Sequence, residues 1–163
     1  MTAVRLRAMT DADTYAVLSL NANSVDVTGP LDIDRLAWIR SMAARADVVE
    51  VDGWIAAFAL VLPADAAYDS PNFAWFQQRY GDRFLYLDRV VVSEMNRRSG
   101  IGGRIYDAAE ADAAALGRLT CEVNAEPPNG ASLAFHTHRG YVEAGRLTHD
   151  SGKVTAMLVK ELA

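Results

Sequence analysis

Hydrophobic and polar positions alternate with different periods along the chain, and these periods predict both strands and helices. Val4, Leu6 and Ala8 alternate with arginines, which is typical of a strand. Two apolar runs flank Asp52-Gly53, the dipeptide most typical of a two-residue hairpin turn. The same criteria predict strands at residues 4–8, 48–51, 54–62, 84–92, 119–123, 141–147 and 153–162.

Helices are predicted where apolar residues recur every three or four positions behind a capping residue. Thr10 begins one helix that runs to about Asn23, and Asp32 caps a second. Ser70-Pro71 begin a short helix on a long excursion between two strands, with Phe73, Phe76 and Tyr80 on its packed face. Two longer helices are predicted at residues 105–116 and 129–138.

The order of these elements, β-α-α-β-β-(short α)-β-α-β-α-β-β, predicts an α/β fold with a mixed sheet. We expect about seven strands and four main helices, antiparallel pairing at the start, and a parallel crossover around residues 105–116. With 163 residues and no linker or repeat, the chain is expected to form a single domain over residues 1–163.

Composition narrows the class of protein. No apolar run is long enough to span a membrane and no signal peptide is recognisable, so a cytoplasmic protein is expected. A net charge of −5 disfavours nucleic acid and anionic membranes as partners, and mildly favours a cationic acceptor. One cysteine, Cys121, and three histidines show no metal-binding spacing, so no metal is expected and Cys121 is interpreted as a small buried residue.

A basic, glycine-rich segment, Arg97-Arg98-Ser99-Gly100-Ile101-Gly102-Gly103-Arg104, lies between a predicted strand and a predicted helix. This order is typical of an anion-binding loop, because helix N-terminal N–H groups face the ligand. A Walker A loop ends in Gly-Lys-Ser or Gly-Lys-Thr, whereas this chain has Gly103-Arg104-Ile105, which excludes that motif. A dinucleotide-binding loop has its glycines directly after the strand and a third glycine where this chain has Ile105, so the segment fits that loop poorly. Glu122 does lie where the ribose-binding acid of such a loop would.

The segment Arg97 to Gly102 fits the pattern Arg-x-x-Gly-x-Gly and resembles the pyrophosphate loop of the GNAT superfamily of N-acetyltransferases. The element order and the segment Phe135 to Tyr141 extend this resemblance over nearly the whole chain. It implies an acetyltransferase with acetyl-coenzyme A as co-substrate, bound between splayed fourth and fifth strands. The cofactor-binding residues that it implies are Val90, Val91, Val92, Arg97, Arg98, Ser99, Gly100, Ile101, Gly102, Gly103 and Asn129.

The resemblance also suggests catalytic residues. Glu122 matches a position where some family members carry the glutamate that deprotonates the amine, and Asp88 is either a second base or, more simply, the ion-pair partner of Arg89. Family members usually place a tyrosine acid seven residues after the asparagine, where this chain has His136. A neutral imidazole can still donate a proton to the thiolate, so His136 is the candidate acid.

Acceptor-binding residues are sought on the excursion before the fourth strand. Tyr68, Asp69 and Asn72 are the candidates there, and the acceptor is expected to be a primary amine on a small molecule or a peptide. A non-catalytic acyl-coenzyme A binding or sensing module is the alternative function, since His136 replaces a familiar catalytic group. A homodimer is compatible with the sequence, which does not determine the oligomeric state.

Overall fold

The computed structural model describes residues 2–162 and contains seven strands and six α-helices. The strands are β1 Val4–Ala8, β2 Arg45–Val51, β3 Trp54–Pro63, β4 Leu85–Val92, β5 Arg118–Glu126, β6 Val142–Thr148 and β7 Val154–Glu161. The helices are α1 Thr14–Ala22, α2 Val25–Thr28, α3 Ile33–Met42, α4 Pro71–Tyr80, α5 Ile101–Ala113 and α6 Gly130–His138. Within residues 2–162, no helix has the length and apolar character needed to cross a membrane.

All seven strands form one mixed sheet in the order β1-β2-β3-β4-β5-β7-β6. Every neighbouring pair is antiparallel except β4 and β5, which are parallel and are connected through α5. The predicted fold class, strand count and parallel crossover are therefore confirmed. The four main helices and the helix on the excursion, α4, occur as predicted, and the additional helix is α2, a single turn that is too short to produce a recognisable period.

Local signals in the sequence account for several of the observed boundaries. Asp52 and Gly53 both have positive φ, 52° and 85°, as the predicted two-residue hairpin turn requires. Asp32 accepts a hydrogen bond from the backbone N–H of Arg35 at the start of α3, and Ser70 accepts one from that of Phe73 at the start of α4. Strand β5 extends to Glu126, three residues beyond its predicted end.

The sheet separates two hydrophobic cores. One core lies beneath α1, α3 and α4 and includes the fully buried Phe58, Phe73, Phe76 and Tyr86. The other lies beneath α5 and α6 and includes residues such as Tyr106, which faces Leu87 and Cys121 on the strands. The buried Cys121 and the packed face of α4 match their predicted roles.

Strands β4 and β5 pair over a very short distance. Only Leu85 with Leu119 and Tyr86 with Thr120 are in register, and beyond them the two strands separate. A second irregularity lies on the other edge of β4, where Leu60 pairs with Arg89 and Val61 with Leu87, so that Asp88 has no partner on β3. This β-bulge changes the side-chain alternation of β4 at the point where the strands separate.

Packing of α4 against the last hairpin depends on a glycine in β6. A Cβ atom at Gly145 would lie 2.7 Å from Cζ2 and 3.1 Å from Cη2 of Trp75. We expect Gly145→Ala to lower the free energy of unfolding by about 1–3 kcal/mol, because the indole ring must move. Denaturant unfolding measures the change.

The matched control is Gly130→Ala, since nothing lies within 4 Å of a Cβ at that position in the first turn of α6. Alanine should leave stability unchanged or increase it there, because it favours the helix. If the Gly145 and Gly130 variants were equally stable, contact with Trp75 would not restrict position 145.

Candidate active site

The glycine-rich loop leads into the N-terminus of α5. After a 3₁₀ turn at Glu94–Asn96, Arg98 adopts φ 63° and Gly100 adopts φ 84°, and α5 begins at Ile101. Gly100 is suited to this left-handed conformation, and open space surrounds the position of its absent Cβ atom. The N–H groups in the first turn of α5 are therefore presented at an open, basic surface, which suits a pyrophosphate.

Arginines supply the charge of this surface. Arg97, Arg98 and Arg104 are exposed, and within residues 2–162 none of the three forms an ion pair with a carboxylate. Ser99 donates its hydroxyl to the carbonyl of Asn96 and stabilises the turn before the helix. The loop is thus preorganised while its guanidinium groups are available to an anion.

Two of the loop glycines, Gly102 and Gly103, lie against α6 and its end. A Cβ at Gly102 would lie 3.6 Å from the ring of Phe135, and one at Gly103 would lie 3.6 Å from the guanidinium of Arg139. Cβ atoms at both positions would therefore point towards α6 and its C-terminal end, and not towards the open surface. The direction of a Cβ at Gly102 thus faces Phe135 of α6, whereas Gly100 provides the open side of the loop.

The three valines at the end of β4 do not share one environment. Val90 borders the gap between β4 and β5 and packs on the α5 side of the sheet, whereas the side chain of Val91 is buried in the opposite core. Val92 packs with the α5 residue Ile105. Of the valines expected to lie along the pantetheine arm, Val91 can contribute only backbone groups.

One cavity of about 440 Å³ lies where β4 and β5 separate. Side chains from both faces of the sheet border it, among them Glu122 from the α1–α4 side and Tyr106 from the α5–α6 side. Asn129, which caps α6 by accepting a hydrogen bond from the N–H of Ser132, borders the same cavity. The strand separation therefore connects the two faces of the sheet.

Glu122 borders the cavity from β5. The Tyr86 hydroxyl donates to its Oε2 atom over 2.7 Å. Removal from water raises the pKa of the Glu122 carboxyl to about 8, with a further contribution from the negative charge of Asp88, and the bonds from Tyr86 and Asn72 oppose this rise. A carboxyl group with this pKa can both accept and release a proton near neutral pH.

Asp88 occupies the bulge of β4 beside the same cavity. It accepts a hydrogen bond from the Tyr68 hydroxyl over 2.8 Å and one from Nε of Arg89 over 2.9 Å. The predicted pairing of Asp88 with Arg89 is confirmed, and both side chains are more than nine-tenths buried. Because it is already paired with a guanidinium, Asp88 is less suited than Glu122 to accept a proton.

On the other side of the sheet, His136 is buried and forms a hydrogen bond through each of its two ring nitrogens. Its Nδ1 lies 2.7 Å from the carbonyl oxygen of Ser132, and its Nε2 lies 2.6 Å from the hydroxyl of Tyr106. A carbonyl oxygen can only accept, so Nδ1 carries a hydrogen and Nε2 of the neutral ring accepts the Tyr106 O–H. Burial lowers the pKa of His136 and raises that of Tyr106 well above its usual value.

The predicted acceptor residues all border the cavity. The Tyr68 hydroxyl bonds Asp88, as described, and the Asn72 amide oxygen accepts a hydrogen bond from Thr155. Asp69 forms a bidentate pair with Arg35 over 2.6 and 2.8 Å at the exposed rim. The structure thus brings these three candidates to the same cavity as Glu122 and His136.

Some residues of the site were not identified from the sequence. Tyr106, Arg35 and Tyr86 look like ordinary members of apolar or amphipathic segments, and their partners are 30, 34 and 36 residues away. No local pattern joins such pairs. His149, which lies outside every motif of the sequence, is partly buried and hydrogen-bonded to Thr155.

The sequence matches a known family of proteins. The model of the Acetyltransferase (GNAT) family matches residues 14–141, most of the chain. The chain therefore belongs to the GNAT family of acetyltransferases, whose general reaction is acetyl transfer from acetyl-coenzyme A. No curated protein sequence matches it.

Solved structures share the fold at low sequence identity. Ard1 from Thermoplasma volcanium superposes with a TM-score of 0.78 at 16% identity, covering 99% of both chains. The ribosomal-protein-S18-alanine N-acetyltransferase from Escherichia coli has a TM-score of 0.72 at 15% identity, covering 99% of this chain and 95% of its own. The Salmonella typhimurium protein yncA, solved with its cofactor acetyl-CoA, has a TM-score of 0.72 at 17% identity and the same coverage.

The charge of the first turn of α5 can be tested at Gly102. We expect Gly102→Asp to weaken coenzyme A binding by at least about tenfold, or roughly 1.4 kcal/mol, because a carboxylate there repels the pyrophosphate. Calorimetric titration with coenzyme A measures the affinity.

The isosteric Gly102→Asn variant is the control. It makes the same contact with Phe135 without the charge, and we expect it to bind several-fold more tightly than the Asp variant. Equal affinities of the Asp and Asn variants would mean that no anion binds near this turn.

Proposed function

We propose that the protein transfers an acetyl group from acetyl-coenzyme A to a primary amine by direct attack in a ternary complex. The observation that supports this most is the cavity at the β4–β5 separation. It is bordered by Glu122 on one face of the sheet and by the Tyr106–His136 pair on the other. An amine entering from the Glu122 side and a thiolate leaving on the Tyr106 side would meet proton-transfer groups on opposite sides of the reacting carbon.

The cofactor site of this proposal is built from the loop and from β4. Bound acetyl-coenzyme A supplies an acetyl group activated as a thioester. The exposed arginines and the N–H groups at the start of α5 would hold its pyrophosphate, while β4 beyond Tyr86 offers backbone groups that β5 does not pair. The residues proposed for binding are Arg97, Arg98, Ser99, Gly100, Ile101, Gly102 and Gly103 of the loop, the backbone of Val90, Val91 and Val92, and Asn129 of α6.

Glu122 is proposed as the general base. A primary amine is mostly an ammonium ion near neutral pH and must lose a proton before it attacks. Ionised Glu122 can accept that proton directly or through one water molecule, and its pKa of about 8 matches this task. Tyr68, Asp69 and Asn72 are proposed to line the path of the acceptor towards it.

His136 is proposed to supply the proton for the leaving thiolate through Tyr106. Neutral His136 carries its hydrogen on Nδ1 and has none on Nε2. Protonation at Nε2 reverses the bond to Tyr106, so that the phenol oxygen accepts from Nε2–H and its own O–H points elsewhere. The thiolate then takes the Tyr106 proton while Nε2 replaces it, which leaves neutral His136 and an intact phenol.

The high pKa of Tyr106 supports this sequence of transfers. A buried phenol is a poor acid by itself, because it would leave a phenolate without solvation. A simultaneous proton from His136 avoids that species. Solvent then reprotonates His136 before the next turnover.

Release of coenzyme A in the presence of an amine panel tests the proposed reaction. The rate should rise with pH to a maximum and fall again above about 8, because the proposed transfers need ionised Glu122, whose pKa is about 8, together with protonated His136, whose pKa burial lowers. Glu122→Gln should lower kcat by about a hundredfold, within the range typical of a lost general base, and abolish this rise.

Two results would contradict the proposal for Glu122. Acetyl-coenzyme A binding without turnover for every amine would favour the binding or sensing module instead. Turnover by the Gln variant at the parental rate, with the same pH profile, would assign the base to another group. Tyr86→Phe provides a further check, since loss of its hydrogen bond should raise the pKa of Glu122 and move the fall in rate to higher pH.

The proton relay predicts matched losses at two positions. Tyr106→Phe and His136→Phe should each lower kcat by about a hundredfold with nearly unchanged coenzyme A affinity, because acid catalysis acts in the transition state. Combining them should cost little more, since each breaks the same relay.

Thermal unfolding of the same variants separates catalysis from packing. If His136 only supported α6, both variants would lose stability while turnover per folded molecule changed little. A Tyr106→Phe variant as fast as the parent would exclude the phenol from the proton path, whatever the behaviour at position 136.

A further inference from the structure

The charges around the acceptor side of the cavity are not those of a site for a simple cation. Its charged side chains are Arg35, Arg89 and Lys153 on one hand and Asp69, Asp88 and Glu122 on the other. Because the pKa of Glu122 is raised to about 8, this group is mostly neutral at pH 7, and the cations exceed the anions by one. An ammonium ion alone would enter a site of its own sign, although the whole chain has a net charge of −5.

Arg89 is the cation best placed to bind part of a ligand. Its side chain is only 7% exposed, yet it reaches the cavity. Nε donates to Asp88 over 2.9 Å and Nη1 to the Asn21 amide oxygen over 3.1 Å, while Nη2 makes no hydrogen bond within residues 2–162. No buried side-chain nitrogen in that part of the chain lacks a partner, so Nη2 retains some exposure and can donate to a ligand.

The surroundings of Arg89 fix its guanidinium in place. Asn21 accepts a hydrogen bond from the Thr28 hydroxyl over 3.1 Å, and its amide nitrogen donates to the carbonyl of Gly29 over 2.9 Å. Asp88 is fixed in turn by Tyr68. A buried guanidinium that is held on two sides and open on the third is a preorganised site for a carboxylate.

Arg89 also borders a second cavity. It has a volume of about 450 Å³, is bordered by the segment from Gly29 to Asp32, and shares Gly29, Arg35 and Arg89 with the first cavity. Two guanidinium groups thus border both cavities where they meet. Two contacts position Arg35: its Cζ atom lies 4.8 Å from the centre of the Trp38 ring, and its guanidinium is paired with Asp69.

The proton acceptor and the guanidinium border the same cavity and are held by neighbouring tyrosines. The Tyr86 hydroxyl bonds Glu122 and the Tyr68 hydroxyl bonds Asp88, and the two phenol rings lie with centroids 6.5 Å apart. Arg89 bonds the same Asp88 carboxylate. A small ligand that carries both an amine and an anionic group can therefore present one to Glu122 and the other to Arg89 within this cavity.

We propose that the acceptor is a small zwitterionic amine of the α-amino acid class, whose carboxylate binds Arg89 while its amino group faces Glu122. This inference rests on the proposed function, because it concerns the acceptor of the same reaction. The carboxylate compensates the excess positive charge of the cavity, and the neighbouring second cavity leaves room for a side chain.

A panel of matched acceptors tests this proposal. Each of several L-amino acids is compared with its amide and its decarboxylated amine, with kcat/KM measured by coenzyme A release. At least one amino acid should exceed both of its analogues by about tenfold or more. The amide has the least basic amino group and supplies the most free amine at a given pH, which works against the expected order.

The variant Arg89→Lys keeps a positive charge beside Asp88 but loses the forked donors. It should reduce the preference for the carboxylate severalfold or more, whereas Arg146→Lys on the exposed β6 strand should retain the parental preference. A preference for the decarboxylated amines in the parent protein would overturn the inference while the proposed function stood. So would an unaltered carboxylate preference in folded Arg89→Lys.

Failure of the proposed function gives a different result. If no amine is acetylated, calorimetric titration of the coenzyme A complex with the same compounds still decides the question. Binding of an amino acid that is weakened by removal of its carboxylate and by Arg89→Lys would support the inference for a binding site. Absence of binding by every amino acid would overturn it.

Discussion

Separation of β4 from β5 after two paired positions is the constraint on which the rest of the site depends. Backbone N–H and C=O groups rarely remain unpaired inside a protein, so a gap in the middle of a sheet must be filled by water or by a ligand. In this chain the gap lies directly before the glycine-rich loop and α5. Backbone pairing for an extended ligand and charge for its phosphates are thus adjacent, which is the arrangement that acetyl-coenzyme A requires.

The bulge at Asp88 determines which side chains reach this gap. Without the extra residue, the strict alternation of a strand would place Asp88 and Arg89 on opposite faces of the sheet. With it, both contact groups of the α1–α4 side: Asp88 bonds Tyr68 and Arg89 bonds Asn21. Val90 then turns to the other face and borders the gap. One irregularity therefore sets the charge on the acceptor side and the apolar lining on the cofactor side.

Burial acts in opposite directions on the two proton-transfer groups. It raises the pKa of Glu122 and lowers that of His136, because in each case the charged form loses hydration. Both groups therefore favour their neutral forms, and their hydrogen bonds define where protons lie: Tyr86 donates to Glu122, and Tyr106 donates to His136. In the proposed reaction, the two paths lie on opposite faces of the sheet, which would keep the proton accepted from the amine apart from the proton given to the thiolate.

The sequence by itself determined the strand and helix order, the hairpin at Asp52-Gly53, the caps at Asp32 and Ser70, and the basic loop before α5, because these features depend on neighbouring residues. Glu122 and His136 could be selected as candidates through their position in motifs. Only the tertiary structure decided that Tyr106 is hydrogen-bonded to His136 beside the cavity, that Gly102 faces Phe135, and that Arg89 borders the acceptor side. Those relations join residues about 30 or more positions apart, and they depend on the strand separation and on a bulge, neither of which leaves a period in the sequence.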